Sequence, residues 1–112
     1  MTEPMYPQGS EKISTRRKEL APKQHEAFEA FSTAVFADGE LDSRTKQLIA
    51  VAVAHTTQCP YCIQGHTAIA KRKGASEEQI MEAIWVAAEM RAGAAFAHAT
   101  LAVNTLQHMG QH

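Results

Sequence analysis

The sequence LIAVAVA, residues 48–54, is followed after a short polar segment by CPYCIQGH, residues 59–66. The first segment is apolar on every side, so its pattern alone fits either a buried helix or a buried strand. The chain offers no second strand for it to pair with, and its alanines favour a helix. Pro60 pushes the residue before it out of the helical region and suits the first turn of a new helix. The stretch therefore predicts two consecutive helices that meet at Cys59.

The composition is that of an ordinary globular protein with one domain. The chain has 112 residues, of which 45% are hydrophobic and 21% are charged, and this excludes disorder along most of its length. The formal net charge of −1 excludes a strongly basic nucleic-acid-binding surface and gives no electrostatic reason to bind an anionic membrane. Alanine occurs 20 times and aromatic residues make up only 6%. This bias predicts an all-α fold with closely packed helices.

Helix start and stop signals divide the chain. Residues 1–20 are polar and end in a charged run, so we expect an irregular N-terminal lead-in before a single helical domain at 21–112. Gly74 suits a left-handed helix end, and Ser76 with a glutamine three residues later forms a capping-box signature. Gly93 marks a predicted break in the last apolar region. The signals predict a bundle of about five to six helices, the clearest at about 22–37, 43–57, 60–73, 77–90 and 94–109.

No targeting or membrane-spanning segment is expected. The first residues lack the apolar core of a signal peptide, so the cytoplasm is the predicted location. The region 84–103 approaches the length needed to cross a membrane, but Glu89 and Arg91 near its centre would be costly in hydrocarbon. We therefore expect this region to form two helical pieces buried against protein.

The two cysteines lie in a setting typical of thiol redox chemistry. With Cys59 as the N-cap and Pro60 as the first helical residue, Cys62 lies in the first turn, where the backbone N–H groups and the helix dipole favour a thiolate. Such placement can lower the pKa of a cysteine from ~8.5 to roughly 3.5–7.5. His66 lies one turn after Cys62 on the same helix face, where its ring can exchange a proton with that sulfur. The pattern predicts a nucleophile, a second thiol able to form a reversible disulfide, and an acid/base group.

Inert core cysteines, a metal site and two kinds of disulfide protein fit this motif less well. Buried cysteines are often inert, but the proline cap and the histidine at i+4 would then be coincidental. A metal site built from His55, Cys59, Cys62 and His66 would have its ends ~16 Å apart on a continuous helix, too far to share one ion. A thioredoxin-type site needs a βαβ context that the sequence lacks. A secreted disulfide scaffold is excluded because its cysteines would be spread along the chain.

The motif and its flanks resemble a known family. The residues from Leu41 to Ala54, the CPYC motif with His66, and the segment from Lys73 to Ile84 are similar to the alkylhydroperoxidase D-like proteins of the carboxymuconolactone decarboxylase superfamily. The similarity covers residues 24–106 approximately. It implies an all-helical fold that assembles as trimers or hexamers, and peroxidase or disulfide-reductase chemistry without haem, flavin or metal.

The resemblance also assigns roles to individual residues. In that family the second cysteine of the pair attacks the peroxide, which implies that Cys62 is the nucleophile here. The first, Cys59, would then resolve the sulfenic acid to a disulfide, and His66 would belong to a proton relay. A thiol or a lipoylated partner protein would reduce the disulfide. Tyr61, between the cysteines, either donates a hydrogen bond or packs.

One position departs from the family pattern. The relay usually includes a glutamate twelve residues before the first cysteine, and this chain has Gln47 there. Glutamine forms hydrogen bonds but cannot carry a proton as a carboxylate does. The relay would then work through water and His66 alone or use another group, with Glu89 and His98 as candidates. The plain alternatives are a buried ion pair of Glu89 with Arg91 or a neighbouring subunit, and a hydrogen-bonded core histidine at position 98.

Three functions are compatible with these observations. The leading hypothesis is a cysteine-dependent peroxidase or thiol-disulfide oxidoreductase that reduces hydroperoxides in antioxidant defence. One alternative is a carboxymuconolactone decarboxylase-type lyase, whose chemistry does not need paired thiols. Another is a non-catalytic, redox-switched oligomeric module, which Gln47 favours. In each case we expect a homo-oligomer, because a domain of this size cannot wrap two helices that are apolar on most sides.

Overall fold

The computed structural model describes residues 5–110, and over that range the chain forms five α-helices and no strand. The prediction of an all-α fold with about five to six helices is confirmed. By its internal contacts the chain divides after Ser43 into two units, which are described in turn. The helices are α1 (Glu11–Leu20), α2 (Pro22–Phe36), α3 (Ser43–Thr57), α4 (Pro60–Arg72) and α5 (Glu77–Met109).

The first unit begins with a helix where the sequence predicted irregular structure. Ser10 is the N-cap of α1, and its side-chain oxygen accepts a hydrogen bond from the Ile13 N–H at 3.2 Å. Glu11 lies in the first turn, where its charge complements the helix dipole. The prediction of an irregular lead-in is therefore wrong for residues 11–20, because local capping supports a helix that buries none of its residues. The part of that prediction that concerns residues 1–4 lies outside the described residues.

Helix α2 begins at the predicted proline and ends before a polar loop. Pro22 is in the first turn, where its missing N–H costs nothing. The rings of Phe28 and Phe31 lie 6.3 Å apart on this helix, within the range of a favourable aromatic pair. In the loop that follows, the Asp38 carboxylate accepts a hydrogen bond from the Ser43 N–H at 2.6 Å. This bond fixes the chain where α3 starts.

The second unit has a small core of alanine and aliphatic side chains. Val51 and Ala70 are fully buried, and Leu48 and Ile84 pack against their cluster. Among the described residues, four of the six buried apolar side chains are alanines, in keeping with the alanine-rich composition. The buried apolar residues are Val51, Ala54, Ala70, Ala75, Ile80 and Ala87.

The turn between α4 and α5 follows the sequence signals. Gly74 has a φ of 97°, and the N–H of Ala75 bonds back to the carbonyl of Ala70 at 3.0 Å, which is the 6→1 bond of a Schellman motif. Ser76 then caps α5. Its side chain accepts from the Gln79 N–H at 3.0 Å, and the Gln79 side chain accepts from the Ser76 N–H at 2.9 Å. The predicted capping box is confirmed.

Helix α5 runs through the predicted break at Gly93 without interruption over 33 residues. The two-helix prediction for 77–109 is wrong, because a single glycine costs a helix only about 1 kcal/mol and the alanine-rich flanks propagate it. The Glu89 side chain lies close to Gly93. A Cβ at position 93 would be 3.2 Å from a carboxylate oxygen of Glu89. At 1.5 Å per residue the helix is about 50 Å long.

The distal half of α5 is exposed in the isolated chain. Within the described residues, no α5 residue after Ala87 is buried, and Phe96 is 83% exposed. The expectation that the region 84–103 is buried is therefore not met within a single copy of the chain. Among residues 5–110, no helix is both long and apolar enough to cross a membrane.

Candidate functional site

The site is organised around the junction of α3 and α4. Helix α3 ends at Thr57, and Gln58 adopts the left-handed conformation with a φ of 56°. The helix ends there, and the Cys59 N–H bonds to the Ala54 carbonyl at 3.1 Å. This 6→1 bond is again that of a Schellman motif, with glutamine in the position usually taken by glycine. Cys59 is thereby held at the end of α3.

Cys59 also starts α4. It is the N-cap of that helix, and its Sγ accepts a hydrogen bond from the Cys62 N–H at 3.3 Å. The Cys59 carbonyl accepts from the Ile63 N–H at 2.9 Å. Pro60 is the first helical residue, as the sequence predicted. The backbone of Cys59 is therefore fixed by two helices at once.

The two cysteines are joined to each other. Cys59 and Cys62 form a disulfide bond, with their Cα atoms 5.2 Å apart, and both residues are half-buried. They are the only cysteines of the chain. A half-buried disulfide in the first turn of a helix is open to attack by a small thiolate, and the helix N-terminus stabilises negative charge on a released sulfur.

His66, one turn after Cys62 on α4, is hydrogen-bonded to Gln47 of α3. The His66 Nδ1 lies 2.8 Å from the Gln47 Oε1, and Gln47 is only 4% exposed. Because a carbonyl oxygen only accepts, His66 donates from Nδ1, and Nε2 of the neutral ring is left as the acceptor. His66 follows Cys62 by one turn on the same face of α4. The structure thus contains two pairs, the Cys59–Cys62 disulfide and the His66–Gln47 hydrogen bond, which the i,i+4 spacing of Cys62 and His66 places on neighbouring turns of α4.

The remaining sequence candidates are Tyr61 on α4 and Glu89 and His98 on α5. Tyr61 is 49% exposed in the first turn of α4. Glu89 and His98 are exposed on α5, and within residues 5–110 neither forms a hydrogen bond with the cysteines. The His98 Nδ1 donates to the Ala94 carbonyl at 2.6 Å, so the ring is hydrogen-bonded as expected, but its exposure means that the core position is not met within a single copy of the chain. The backbone satisfies this ring without burial.

Arg91 has a role that the sequence did not indicate. Its guanidinium donates to the Thr56 carbonyl at 3.4 Å, at the C-terminal end of α3, where a positive charge is favourable. No ion pair links Arg91 with Glu89 in the described part of the chain, so the alternative of a buried Glu89–Arg91 pair is wrong. The sequence separation of 35 residues explains why no local pattern revealed this contact.

His55, which the sequence offered as a metal ligand, bonds to its own helix. It is half-buried, and its Nδ1 donates to the Val51 carbonyl of the preceding turn at 2.8 Å. Over residues 5–110, no three histidine, cysteine or acidic side chains cluster in a way that could hold a metal ion.

The fold and the site define a class: all-α proteins with a Cys-x-x-Cys disulfide where two helices meet and a histidine one turn away. The family model of the carboxymuconolactone decarboxylase family matches residues 22–105. The chain belongs to this family, and the alkylhydroperoxidase D-like assignment made from the CPYC motif and its flanks is confirmed.

The chain is also similar to individual proteins in sequence and in structure. The chain is 69% identical over 84 residues to uncharacterized protein 4 in the cox locus of Paracoccus denitrificans, covering 75% of this chain and 76% of that protein. A crystal structure of a protein from Methanobacterium thermoautotrophicum is similar with a TM-score of 0.71 and 36% identity, covering 76% of this chain and 98% of that one. A family protein from Thermotoga maritima, for which involvement in an antioxidative response has been suggested, gives a TM-score of 0.58 and 28% identity, covering 79% and 91%.

Proposed function

We propose that the protein is a cysteine-dependent peroxidase that reduces hydroperoxides and is regenerated by a thiol. The observation that carries the proposal is the Cys59–Cys62 disulfide at the start of α4, one turn from a histidine whose ring is oriented by a buried glutamine. The suggested antioxidative role of the Thermotoga relative supports the same function.

The catalytic cycle follows from these positions. His66 accepts the proton of the Cys62 thiol at Nε2, the ring nitrogen left unprotonated by the bond to Gln47. The Cys62 thiolate attacks one oxygen of the hydroperoxide, the O–O bond breaks, and the alcohol leaves with the proton returned by His66. Cys62 is now a sulfenic acid. The Cys59 thiolate attacks this sulfur, a disulfide forms, and the released hydroxide takes a proton to become water.

A dithiol completes the cycle by two thiol–disulfide exchanges, which reduce the disulfide and oxidise the dithiol. Small dithiols and lipoylated proteins are the chemical class that fits. Since such reductants are maintained in the cytoplasm, we propose that the activity belongs there.

The test is peroxide consumption with a dithiol reductant. Wild type should consume many equivalents of peroxide per chain, and Cys62→Ser should lose this activity. Ala68→Ser, which places the same side chain on an exposed position of α4, is the matched control and should retain it. Equal rates for wild type and Cys62→Ser would refute the proposal.

The same assay separates the alternatives. One equivalent of peroxide consumed without turnover would identify a redox-switched module, which the uncharged Gln47 favours. Decarboxylation of a cyclic lactone acid by a variant without cysteines would identify a lyase of the namesake type.

We further propose that the protein is a homo-oligomer, a trimer or a hexamer, assembled through α5. Phe96, Ala99, Val103 and Leu106 recur at intervals of three, four and three residues, the spacing of a coiled-coil seam. Residues 92–110 contain no acidic residue, lysine or arginine. The partner of this seam must therefore be equally long and uncharged, and a second copy of α5 meets both conditions.

Light scattering after size exclusion tests the assembly. Wild type should have a mass that is a multiple of 12.3 kDa. Val103→Glu should dissociate it, because a carboxylate would be buried in the seam without a partner. Thr105→Glu, which adds the same charge beside the seam, should leave the mass unchanged. A monomeric wild type, or dissociation by both variants, would contradict the seam.

A further inference from the structure

The two sulfurs of the disulfide are not equivalent. The Sγ of Cys59 is the N-cap acceptor of α4 and receives the Cys62 N–H at 3.3 Å. Cys62 supplies the donor of this bond from its backbone and carries its own sulfur in the first turn of the helix. The hydrogen bond therefore favours negative charge on Cys59 whenever the disulfide opens.

Hydrogen bonds of its own backbone place Cys59 at the junction of α3 and α4. The Cys59 N–H is bonded to Ala54 at 3.1 Å, and the Cys59 carbonyl accepts from Ile63 at 2.9 Å. Both bonds belong to helix ends and do not depend on the sulfur–sulfur bond. Because these bonds hold its backbone, we expect Cys59 to remain at the N-cap in the reduced protein, with the Cys62 N–H within reach of its Sγ.

From this asymmetry, and resting on the proposed thiol cycle, we infer that the reductant attacks Cys62 and expels Cys59. The reductant thiolate forms a bond to the Cys62 Sγ, the Cys59–Cys62 bond breaks, and its electron pair leaves on the Cys59 Sγ as a thiolate. A mixed disulfide at Cys62 is the product. The second thiol of the dithiol then attacks the reductant's sulfur in the mixed disulfide. This step closes a disulfide within the reductant, which is oxidised, and releases Cys62 as a thiolate that takes up a proton.

The leaving sulfur decides the direction of attack. Thiol–disulfide exchange is faster when the expelled thiolate is the better stabilised of the two, and roughly half of that stabilisation is expressed in the rate. A hydrogen bond to a charged sulfur is stronger than one to a neutral group. We expect attack at Cys62 to exceed attack at Cys59 by about three- to tenfold.

Tyr61 makes the site of attack measurable. It separates the cysteines in the sequence, so cleavage by chymotrypsin after this tyrosine places them in different peptides. The oxidised wild-type protein is mixed briefly with glutathione, a monothiol, and quenched with acid and N-ethylmaleimide. After digestion without reductant, mass spectrometry should find glutathione mainly on the Cys62 peptide and maleimide on the Cys59 peptide. An equal distribution, or glutathione mainly on Cys59, would overturn the inference.

A titration of single-cysteine variants tests the cause. Cys62→Ser retains the backbone N–H of position 62, so Cys59 in this variant should form its thiolate at a lower pH than Cys62 does in Cys59→Ser, as followed by absorbance at about 240 nm, where thiolates absorb. The reverse order would overturn the inference. Neither measurement uses peroxide. A protein that directs glutathione to Cys62 but consumes no peroxide would refute the proposed peroxidase and leave this inference standing.

Discussion

The hydrogen bond between Gln47 and His66 gives the sharpest prediction about the chemistry. When His66 takes the proton of Cys62, its ring becomes a cation beside the neutral Oε1 of Gln47, 2.8 Å from Nδ1. Gln47→Glu preserves the shape of the side chain and places a carboxylate at the same distance. The substitution therefore changes the charge that faces the protonated ring and little else.

The size of the effect follows from the two kinds of hydrogen bond. A neutral hydrogen bond contributes about 1 kcal/mol net, and one to a charged group about 1.5–3 kcal/mol. The carboxylate should thus stabilise the protonated ring by about 0.5–2 kcal/mol more than the amide, which corresponds to a roughly two- to thirtyfold increase in the rate of peroxide consumption. Position 47 is 4% exposed, so burying a carboxylate there should lower the free energy of unfolding by about 1–3 kcal/mol.

The assay is single-turnover oxidation of the reduced protein by a hydroperoxide, followed through the fluorescence or mass of the oxidised form. Gln64→Glu introduces the same charge at an exposed position of α4 and should change the rate less than about twofold, because solvent screens it. A folded Gln47→Glu variant with the wild-type rate would show that proton transfer to His66 does not limit the reaction. The role given to Gln47 would then be wrong.

Three further predictions concern the stability of the second unit, measured by urea unfolding of the oxidised protein at fixed concentration. Gln58→Gly should raise the free energy of unfolding by about 0.5–1 kcal/mol, because glycine adopts the left-handed conformation of this position without steric cost. Gln64→Gly, in the helix, should lower the free energy of unfolding by about 1 kcal/mol. A change of the same sign in both variants would refute the prediction for Gln58. Val51→Ala at a 0% exposed position should cost about 2–3 kcal/mol, and Val53→Ala at a 52% exposed position much less; equal losses would place Val51 outside the core. Gly65→Ala should raise the free energy of unfolding by about 0.5–1 kcal/mol, since the new Cβ would meet no atom within 4 Å apart from its chain neighbours and the backbone of its own helix; a decrease would indicate a clash that the structure does not contain.

Local signals predicted the junction of α3 with α4 and the turn between α4 and α5 well. Pro60, Gly74 and Ser76 each act through backbone geometry within a few residues, and the structure places each of them in the predicted cap or turn. The same logic failed at Gly93, because a helix tolerates one glycine when its neighbours are good helix formers. It also failed at residues 11–20, because Ser10 was not recognised as an N-cap within this polar stretch.

Contacts between distant residues were beyond such reasoning. The bond of His66 to Gln47 spans 19 residues, and only the resemblance to a family pointed to position 47. No local sequence pattern indicated the bond of Arg91 to the end of α3. The predicted ion pair of Arg91 with Glu89 was wrong, because charges on an exposed helix face are well solvated. Periodicity identifies the faces of a helix but does not identify the atoms that meet across helices.

The way in which Cys59 is shared by α3 and α4 has a consequence for the energetics of the redox cycle. The disulfide closes a loop of only about four residues, for which the entropy of loop closure corresponds to about 2 kcal/mol. The bonds of the Cys59 backbone to Ala54 and Ile63 hold the same chain segment without it. We therefore expect oxidation and reduction to leave the backbone at Cys59 in place and to change the free energy of unfolding by no more than this small amount. A change in the redox state of this site is therefore expected to alter the charge and position of side chains, and not the course of the backbone.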